Sequence, residues 1–417
     1  MKTIFKKRIF RLLALALHLM PAGIMAQNTL NAYLSQAILN SPLITDQKNQ
    51  VKALALDSIR ILATYKPQVN FTGNGFYAPV IHGYGYDEIL TNGQLLSTLV
   101  GVNYSLPGKN RLNNQFSSLQ LQKQTLELNT KLGVRDLEQA VTAQYITVFA
   151  EQQNLSSIRA ILGIMKKEEK ILKSFTEQSI YAETDYLAFL STQKQQELSV
   201  SQQYLQTQSD LFLLKYLCGI TDTAYYELNK PDLVITEPRK GEQTAQYFQY
   251  HLDSLQISNS IEQFQLTYKP KLNLFGDAGY MTSFAYQPYK NFGTSVGVNL
   301  TVPIYDGNQR KMQLEKFRLS EETRSTYAVY FTRQFSIKQQ QLLKQIRETD
   351  RIIEEAGKQI EIAETVLKAN NLLLEAGNLK VSDYILSVTG LISAKESVKQ
   401  LEAGKMQLIN QFIYLNY

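Results

Sequence analysis

The side chains equipped for chemistry in this 417-residue chain are few, and most of them lack a partner. Glu168-Glu169, Glu321-Glu322 and Glu354-Glu355 are adjacent carboxylates, but they fall inside helical patterns and read as solvated helix surface rather than as general acid–base pairs. His82 and His251 have no second ligand at metal-binding spacing. The single cysteine, Cys218, has no disulfide partner, and its apolar neighbourhood from Leu211 to Ile220 makes it a buried, inert thiol. Gly73-x-Gly75-x-x-Ala78 imitates a dinucleotide fingerprint, yet Pro79, Gly83 and Gly85 deny it the helix whose N-terminus would hold a pyrophosphate. No Ser/His/Asp or Cys/His constellation assembles, so the sequence offers no catalytic residue, no cofactor site and no metal site. What remains is an acid that recurs. Asp185-Tyr186-Leu187 returns as Asp383-Tyr384-Ile385, 198 positions later.

That recurrence belongs to a larger one. Gly101-Val102-Asn103-Tyr104-Ser105-Leu106-Pro107 returns 196 positions on as Gly297-Val298-Asn299-Leu300-Thr301-Val302-Pro303, and Tyr65-Lys66-Pro67 returns 203 positions on as Tyr268-Lys269-Pro270. Three landmarks in one order at nearly one spacing mark a duplicated unit, with a loop between paired strands absorbing the difference. A period near 200 is too long for a solenoid. The expected organisation is a leader over residues 1–26, a first repeat over 27–217, a linker over 218–243 and a second repeat over 244–417.

Each repeat opens with a helix and a strand pair, at 69–77 and 98–106 and again at 271–284 and 292–302. Val100, Val102, Tyr104 and Leu106 alternate with Gly101, Asn103 and Ser105. In the partner strand Phe292, Thr294, Val296, Val298, Leu300 and Val302 alternate with Gly293, Ser295, Gly297, Asn299 and Thr301. About ten residues of apolar/small-polar alternation describe a transmembrane barrel strand with Asn103, Ser105, Asn299 and Thr301 on the watery side. A soluble sandwich alternates too. Against it stand the small number of strands, the helical pattern after each pair, and aromatics at the strand–loop borders (Phe76, Tyr77, Tyr84, Tyr86, Phe284, Tyr286, Tyr289). Four strands cannot close a membrane barrel, whose minimum is about eight. Other copies of the chain must therefore complete the edges.

After each strand pair, apolar residues recur at three and four without a proline from Leu112 to Ser174 and from Lys311 to Leu373. Sixty-odd residues at ~1.5 Å per residue make rods of roughly 90 Å, the length of coiled coils rather than globular helices. A heptad runs through Leu391, Ala394, Val398, Leu401, Lys405, Leu408, Phe412 and Leu415. Shorter helices at 35–65, 186–217, 244–268 and 383–417 sum in pairs to the length of a long neighbour, as if stacked end to end beside it. The linker, with Gly219, Pro231, Pro238 and Gly241, reads as irregular with one short strand at 233–236.

The address agrees. Lys2, Lys6, Lys7, Arg8 and Arg11 precede an apolar stretch from Leu12 to Met20 and a cleavage point at Ala26-Gln27, the pattern of a secretory signal peptide. Five of the net +6 charges lie there, so the exported chain is near neutral and its composition points to no nucleic acid. With no other apolar run near 18 residues, any crossing of a membrane is made by strands, as in a Gram-negative outer membrane.

Taken with the Val298–Gly307 run (Val-Asn-Leu-Thr-Val-Pro-Ile-Tyr-Asp-Gly before the long helix), the turn motif Ala376-Gly377-x5-Asp383-Tyr384-Ile385 and Leu408-Ile409-Asn410-Gln411, the mature chain resembles the TolC family of outer-membrane export channels. The resemblance implies an α+β fold in which three copies pool their strands into a 12-strand barrel and their helices into a periplasmic tunnel. It implies a passive exit duct serving a periplasmic adaptor and an inner-membrane RND or ABC transporter, embedded in outer-membrane lipid. It also places a gate at the helical turns, with Asp185 and Asp383 matching acidic positions and Asp383 forming a three-carboxylate ring. Where better-known members carry a second acidic ring, this chain has Leu386; where they close the tip with an arginine and a tyrosine, it has Leu379 and Leu374. Lys380 stands beside the arginine position as a substitute, able to pair with Asp185. The rival reading is a non-channel coiled-coil protein, either a periplasmic adaptor or a surface stalk. An adaptor would need β-rich domains that the sequence does not show.

Overall fold

Proline and alternation divide the chain as its chemistry requires. In the computed structural model, which describes residues 28–86, 93–284 and 286–417, helices α1 (Leu30–Asn40) and α2 (Pro42–Thr64) lead to strands β1 (Gln68–Tyr77) and β2 (Gln94–Ser105). Helices α3 (Lys109–Glu177) and α4 (Glu183–Leu217) close the first repeat. The second follows as α5 (Ala245–Thr267), β3 (Lys271–Thr282), β4 (Phe292–Thr301), α6 (Gln309–Glu375) and α7 (Val381–Leu415). The leader expected over residues 1–26 lies outside the described residues. None of the described helices is long and apolar enough to cross a membrane.

Three details depart from the sequence reading. The helix expected as one piece over 35–65 is two, because Pro42 disfavours helical backbone at the residue before it and Ser41 adopts φ −69°, ψ 131°. Residues 220–240 contain neither helix nor strand, so the short strand expected at 233–236 is absent. Leu233 instead packs as an apolar plug against Leu342, Ile346, Ile409 and Phe412. The β2 strand also reaches back to Gln94, paired with Tyr77, further toward the loop than its clean alternation.

The chain forms two compact units that cut across the duplication. One comprises the chain up to Thr45 with Thr130–Gln246 and Phe331–Tyr417; the other comprises Asp46–Asn129 and Tyr247–Tyr330. The first unit holds the apolar cores. Leu30, Tyr33 and Ala37 of α1 pack on Val141, Tyr145 and Val148 of α3 and on Leu211, Leu214 and Cys218 of α4. Tyr145 is fully buried, with its hydroxyl 2.7 Å from the carbonyl oxygens of Asn28 and Asn229. Lys215, also buried, donates to the Ala224 carbonyl at 2.5 Å and lies over the Tyr226 ring, pinning the irregular linker. Cys218 is buried there, which pushes its thiol up to about 12. The heptad of α7 also behaves as a seam: Leu391, Ala394, Val398 and Phe412 are buried, and Lys405 meets Asp350 of α6.

In the second unit polar contacts join the helices. Asn114 Nδ2 of α3 donates to both the carbonyl and Oδ1 of Asn259 on α5 at 3.0 Å, and Gln256 donates to Thr125 at 2.7 Å. On the other side Arg324 of α6 holds Glu321 and reaches the Tyr250 carbonyl. The four strands form one antiparallel sheet in the order β1-β2-β3-β4, in the same unit.

Candidate functional site: a two-faced sheet and a pair of duplicated turns

Residues directly opposed across a sheet share a face, so the register sorts every strand side chain. On one face Ser105 lies opposite Asn273, which lies opposite Asn299. The rows beyond are Gln68–Asn103–Phe275–Gly297 and Asn70–Gly101–Asp277–Ser295. Thr301, opposite Lys271, belongs to the same face. Thus Asn103, Ser105, Asn299 and Thr301 do share one side, together with Asp277, whose carboxylate accepts the Ser295 hydroxyl at 2.7 Å. The opposite face is apolar: Tyr104–Leu274–Val298, Val69–Val102–Gly276–Val296 and Phe71–Val100–Ala278–Thr294. Nothing among the described residues covers it, and Val296 is 90% exposed. Apolar side chains do occur on the polar face, at Leu99 (opposite Thr72 and Gly279) and Met281 (opposite Ser97) nearer the loops and at Phe275 among the rows above, and at Phe275 glycine explains it. Its ring lies where a Cβ on Gly297 would sit, 2.3 Å away, so an alanine there would displace the aromatic. The outer strands β1 and β4 each offer ten residues of ladder with no further strand beside them among the described residues.

The second constellation is the pair of turns, 178–182 and 376–380, that join each long helix to the next. They are the same turn built twice. In the first, Ser179 N–H donates to the Thr176 carbonyl and Ile180 N–H to Phe175; in the second, Gly377 N–H donates to Leu374 and Asn378 N–H to Leu373. This is the double bond of a Schellman cap, with Ser179 (φ 59°) and Gly377 (φ 73°) in the left-handed position. Asp185 and Asp383 then sit exposed in the first turns of α4 and α7, where the helix macrodipole favours a negative charge. Lys380 is the N-cap residue of α7 and is exposed. The ion pair expected between Asp185 and Lys380 does not form within the chain; the turns are joined instead by the Tyr181 hydroxyl, which donates to the Leu379 carbonyl at 2.9 Å. Leu374 is fully buried, Leu379 half-buried and Leu386 72% exposed. The three leucines therefore do different jobs.

Beneath the turns lies a core of Ile161, Met165 and Leu172 from α3, Phe189 from α4, Leu367 and Leu374 from α6, and Val381, Tyr384, Val388 and Leu391 from α7. Glu168 is inside it. The adjacent-carboxylate reading placed Glu168 on solvated surface; it is 6% exposed, and its Oε2 has no hydrogen-bond partner. Burial, and then the nearby Glu375, push its carboxyl above the usual range. Glu169 does reach a partner, accepting the Tyr186 hydroxyl at 3.1 Å.

No protein-family profile and no curated protein sequence matches this chain. Solved structures do. The outer membrane protein VceC from Vibrio cholerae superposes with a TM-score of 0.71 at 13% identity, over 93% of this chain and 95% of that one. A membrane protein from Pseudomonas aeruginosa gives 0.73 at 14% identity, over 93% and 90%. The CmeC outer membrane channel of Campylobacter jejuni gives 0.70 at 12% identity, over 93% and 85%. This is the TolC-like fold. The TolC-like architecture accounts for the order of helices and strands in both repeats, and it was reached from the sequence through the duplicated strand pair and turn.

Sequence reasoning missed three residues of the TolC-like turns. Glu168 had a signal, since Ile161, Met165, Glu168 and Leu172 follow one another at four, three and four, a single helical stripe with an acid in it. Tyr384 had a weaker one, since it directly follows the repeated acid, and Tyr181 had only its place four residues before Asp185. Asp277 was missed because only the ladder fixes which way the noisier strand β3 faces.

Proposed function

We propose that three copies of this chain form an outer-membrane channel, the exit duct of a tripartite efflux or type I secretion assembly. The observation that carries this reading is the sheet: a continuous apolar face, a polar opposite face and two ten-residue edges that need strands from elsewhere. Closing twelve strands from three copies puts Val102, Val296 and Val298 toward lipid and Asn103, Ser105, Asn299 and Thr301 toward a water-filled lumen. The helical turns then face the periplasm, where an adaptor and an inner-membrane RND or ABC transporter deliver cargo. Such a duct breaks no bonds and supplies no energy. Its selectivity is electrostatic: Asp383, exposed beside the turn, forms a three-carboxylate ring around the axis and attracts cations. Leu386, one helical turn on and exposed, contributes an apolar ring where a charge would otherwise stand.

The test is reconstitution of the full-length, processed protein into planar bilayers. Discrete ion-conducting steps with cation preference, and a lower preference in Asp383→Ala, support the reading. A protein that inserts no channel, or one whose selectivity ignores Asp383, refutes the duct or the charge ring respectively. The coiled-coil adaptor reading loses to one observation: an adaptor has no use for a ten-residue apolar strand face left bare.

A further inference from the structure

Glu168 and Tyr384 each place an unpartnered polar atom in one apolar core. Tyr384 is fully buried against Phe189, ring centroids 5.9 Å apart, and its hydroxyl makes no hydrogen bond. Glu168 Oε2 makes none either. The two are electrostatically coupled: Glu168 is the charge that Tyr384 feels, and burial together with that charge holds the phenol protonated well above its ordinary range. An orphaned buried acceptor or donor ordinarily destabilises a fold. Two in one cluster is an unusual arrangement for a merely structural core.

Duplication supplies the comparison. Tyr186 occupies the position equivalent to Tyr384, and its hydroxyl is satisfied by Glu169 of the preceding helix at 3.1 Å. The residue equivalent to Glu169 in the second repeat is Leu367, itself a core residue. Tyr384 therefore has no acceptor on its own hairpin, and the acid it faces, Glu168, comes from the other one. The remaining charges around Glu168 are accounted for. Lys167 is its neighbour on α3 and favours ionisation, and Glu375 approaches from α6 and opposes it.

We propose that Glu168 and Tyr384 form a buried titratable latch between the two hairpins, closed when Glu168 is neutral and released when it ionises. The inference rests on the channel reading above and adds a gating residue distinct from the exposed Asp383. With the turns packed, Glu168 is held protonated in an apolar site. Once the hairpins separate, water reaches the carboxylate and solvates its charge. The sign follows from linkage. The packed state holds the proton above the ordinary glutamate value of about 4.3, and the separated state releases it near that value. Below that pH the two states bind the proton equally. Above it the separated state gains roughly ten-fold in relative population per pH unit and per chain, until the packed-state value is passed.

Two measurements test this on the intact protein. The first is open probability in planar bilayers between pH 4.5 and 8, for the wild type, Glu168→Gln, Tyr384→Phe and, as a control, Asp383→Asn. The wild type and Asp383→Asn should open at least ten-fold more often at pH 7 than at pH 5. Glu168→Gln should stay near the low-pH level throughout, and Tyr384→Phe, which removes only an unbonded hydroxyl and leaves the acid, should keep a rise with pH. A Glu168→Gln channel with the wild-type pH profile, or a profile abolished by Asp383→Asn alone, overturns the latch. The second is hydrogen exchange of residues 372–390 in detergent, corrected for intrinsic rates. Protection should fall with rising pH in the wild type and hold constant in Glu168→Gln. This readout needs no conductance, so a protein that exchanges as expected but conducts nothing would keep the latch and sink the channel. Protection that falls equally in both proteins would sink the latch alone.

Discussion

Val298 and Asn299 are adjacent on β4, about 3.4 Å apart along the strand, and face opposite sides of the sheet. Val298 completes the row Tyr104–Leu274–Val298, and Asn299 completes Ser105–Asn273–Asn299. Because both sit at the same depth, an arginine at each reports the face alone. Facing lipid near the midplane, an arginine is destabilising by about 2–4 kcal/mol, or roughly 30- to 1,000-fold in the folding equilibrium. In the proposed three-chain barrel the penalty is compounded. Facing an aqueous lumen, it lies among asparagine and serine, where surface substitutions change stability by about 0.5 kcal/mol or less. The assay is the fraction of heat-resistant oligomer after folding into vesicles, with urea midpoints for the single variants. Val298→Arg should lose most of its assembled oligomer, and Asn299→Arg should retain most of it. Equal damage at both positions, or greater damage at Asn299, would refute the assignment of the apolar face to lipid and with it the barrel.

Other outcomes follow from the helical unit. Ser179→Gly should stabilise the first turn by about 1 kcal/mol, because a serine at φ 59° carries a steric strain that glycine lacks. Gly377→Ala should destabilise the second turn by about 1–2 kcal/mol, since the new methyl takes that strain at φ 73° and meets Ile180 at 3.4 Å; denaturant midpoints of the detergent-solubilised protein check both. Glu151 has its carboxyl pushed up to about 8 by burial and then by Asp210 beside it. Its favourable contribution is complete below about 4.3 and is lost as pH rises through about 8, so Tm should fall over that interval and Glu151→Gln should flatten the fall.

How far the sequence carries this fold depends on what each signal encodes. Alternation from Phe292 to Val302 and the unbroken stripes of α3 and α6 are local patterns, and they located the strands and rods to within a few residues. Duplication then located the turns, because Asp185 and Asp383 bracket positions whose backbone hydrogen bonds repeat one for one. Pro42 was readable as a helix break but lay under a periodic pattern that ran across it. The turn core was harder. Leu374, Leu379 and Leu386 are chemically alike, and only packing tells that the first is buried and the last exposed. The same limit hid Glu168, where an adjacent glutamate suggested surface while the stripe of Ile161, Met165 and Leu172 pointed inward. Which charge meets which partner is a tertiary fact: Lys380 stands next to the repeated acid in sequence, yet Tyr181 is what crosses between the turns.

The claim on which the account stands is that this chain cannot close its sheet alone. Among the described residues, four strands with two free edges and one bare apolar face require neighbours. Mass measurement of the full-length protein extracted from membranes into mild detergent, with imaging of the same particles, tests it directly. The account predicts a single species of three chains with a closed twelve-strand barrel. A monodisperse monomer, folded and stable with its four-stranded sheet intact, would contradict it.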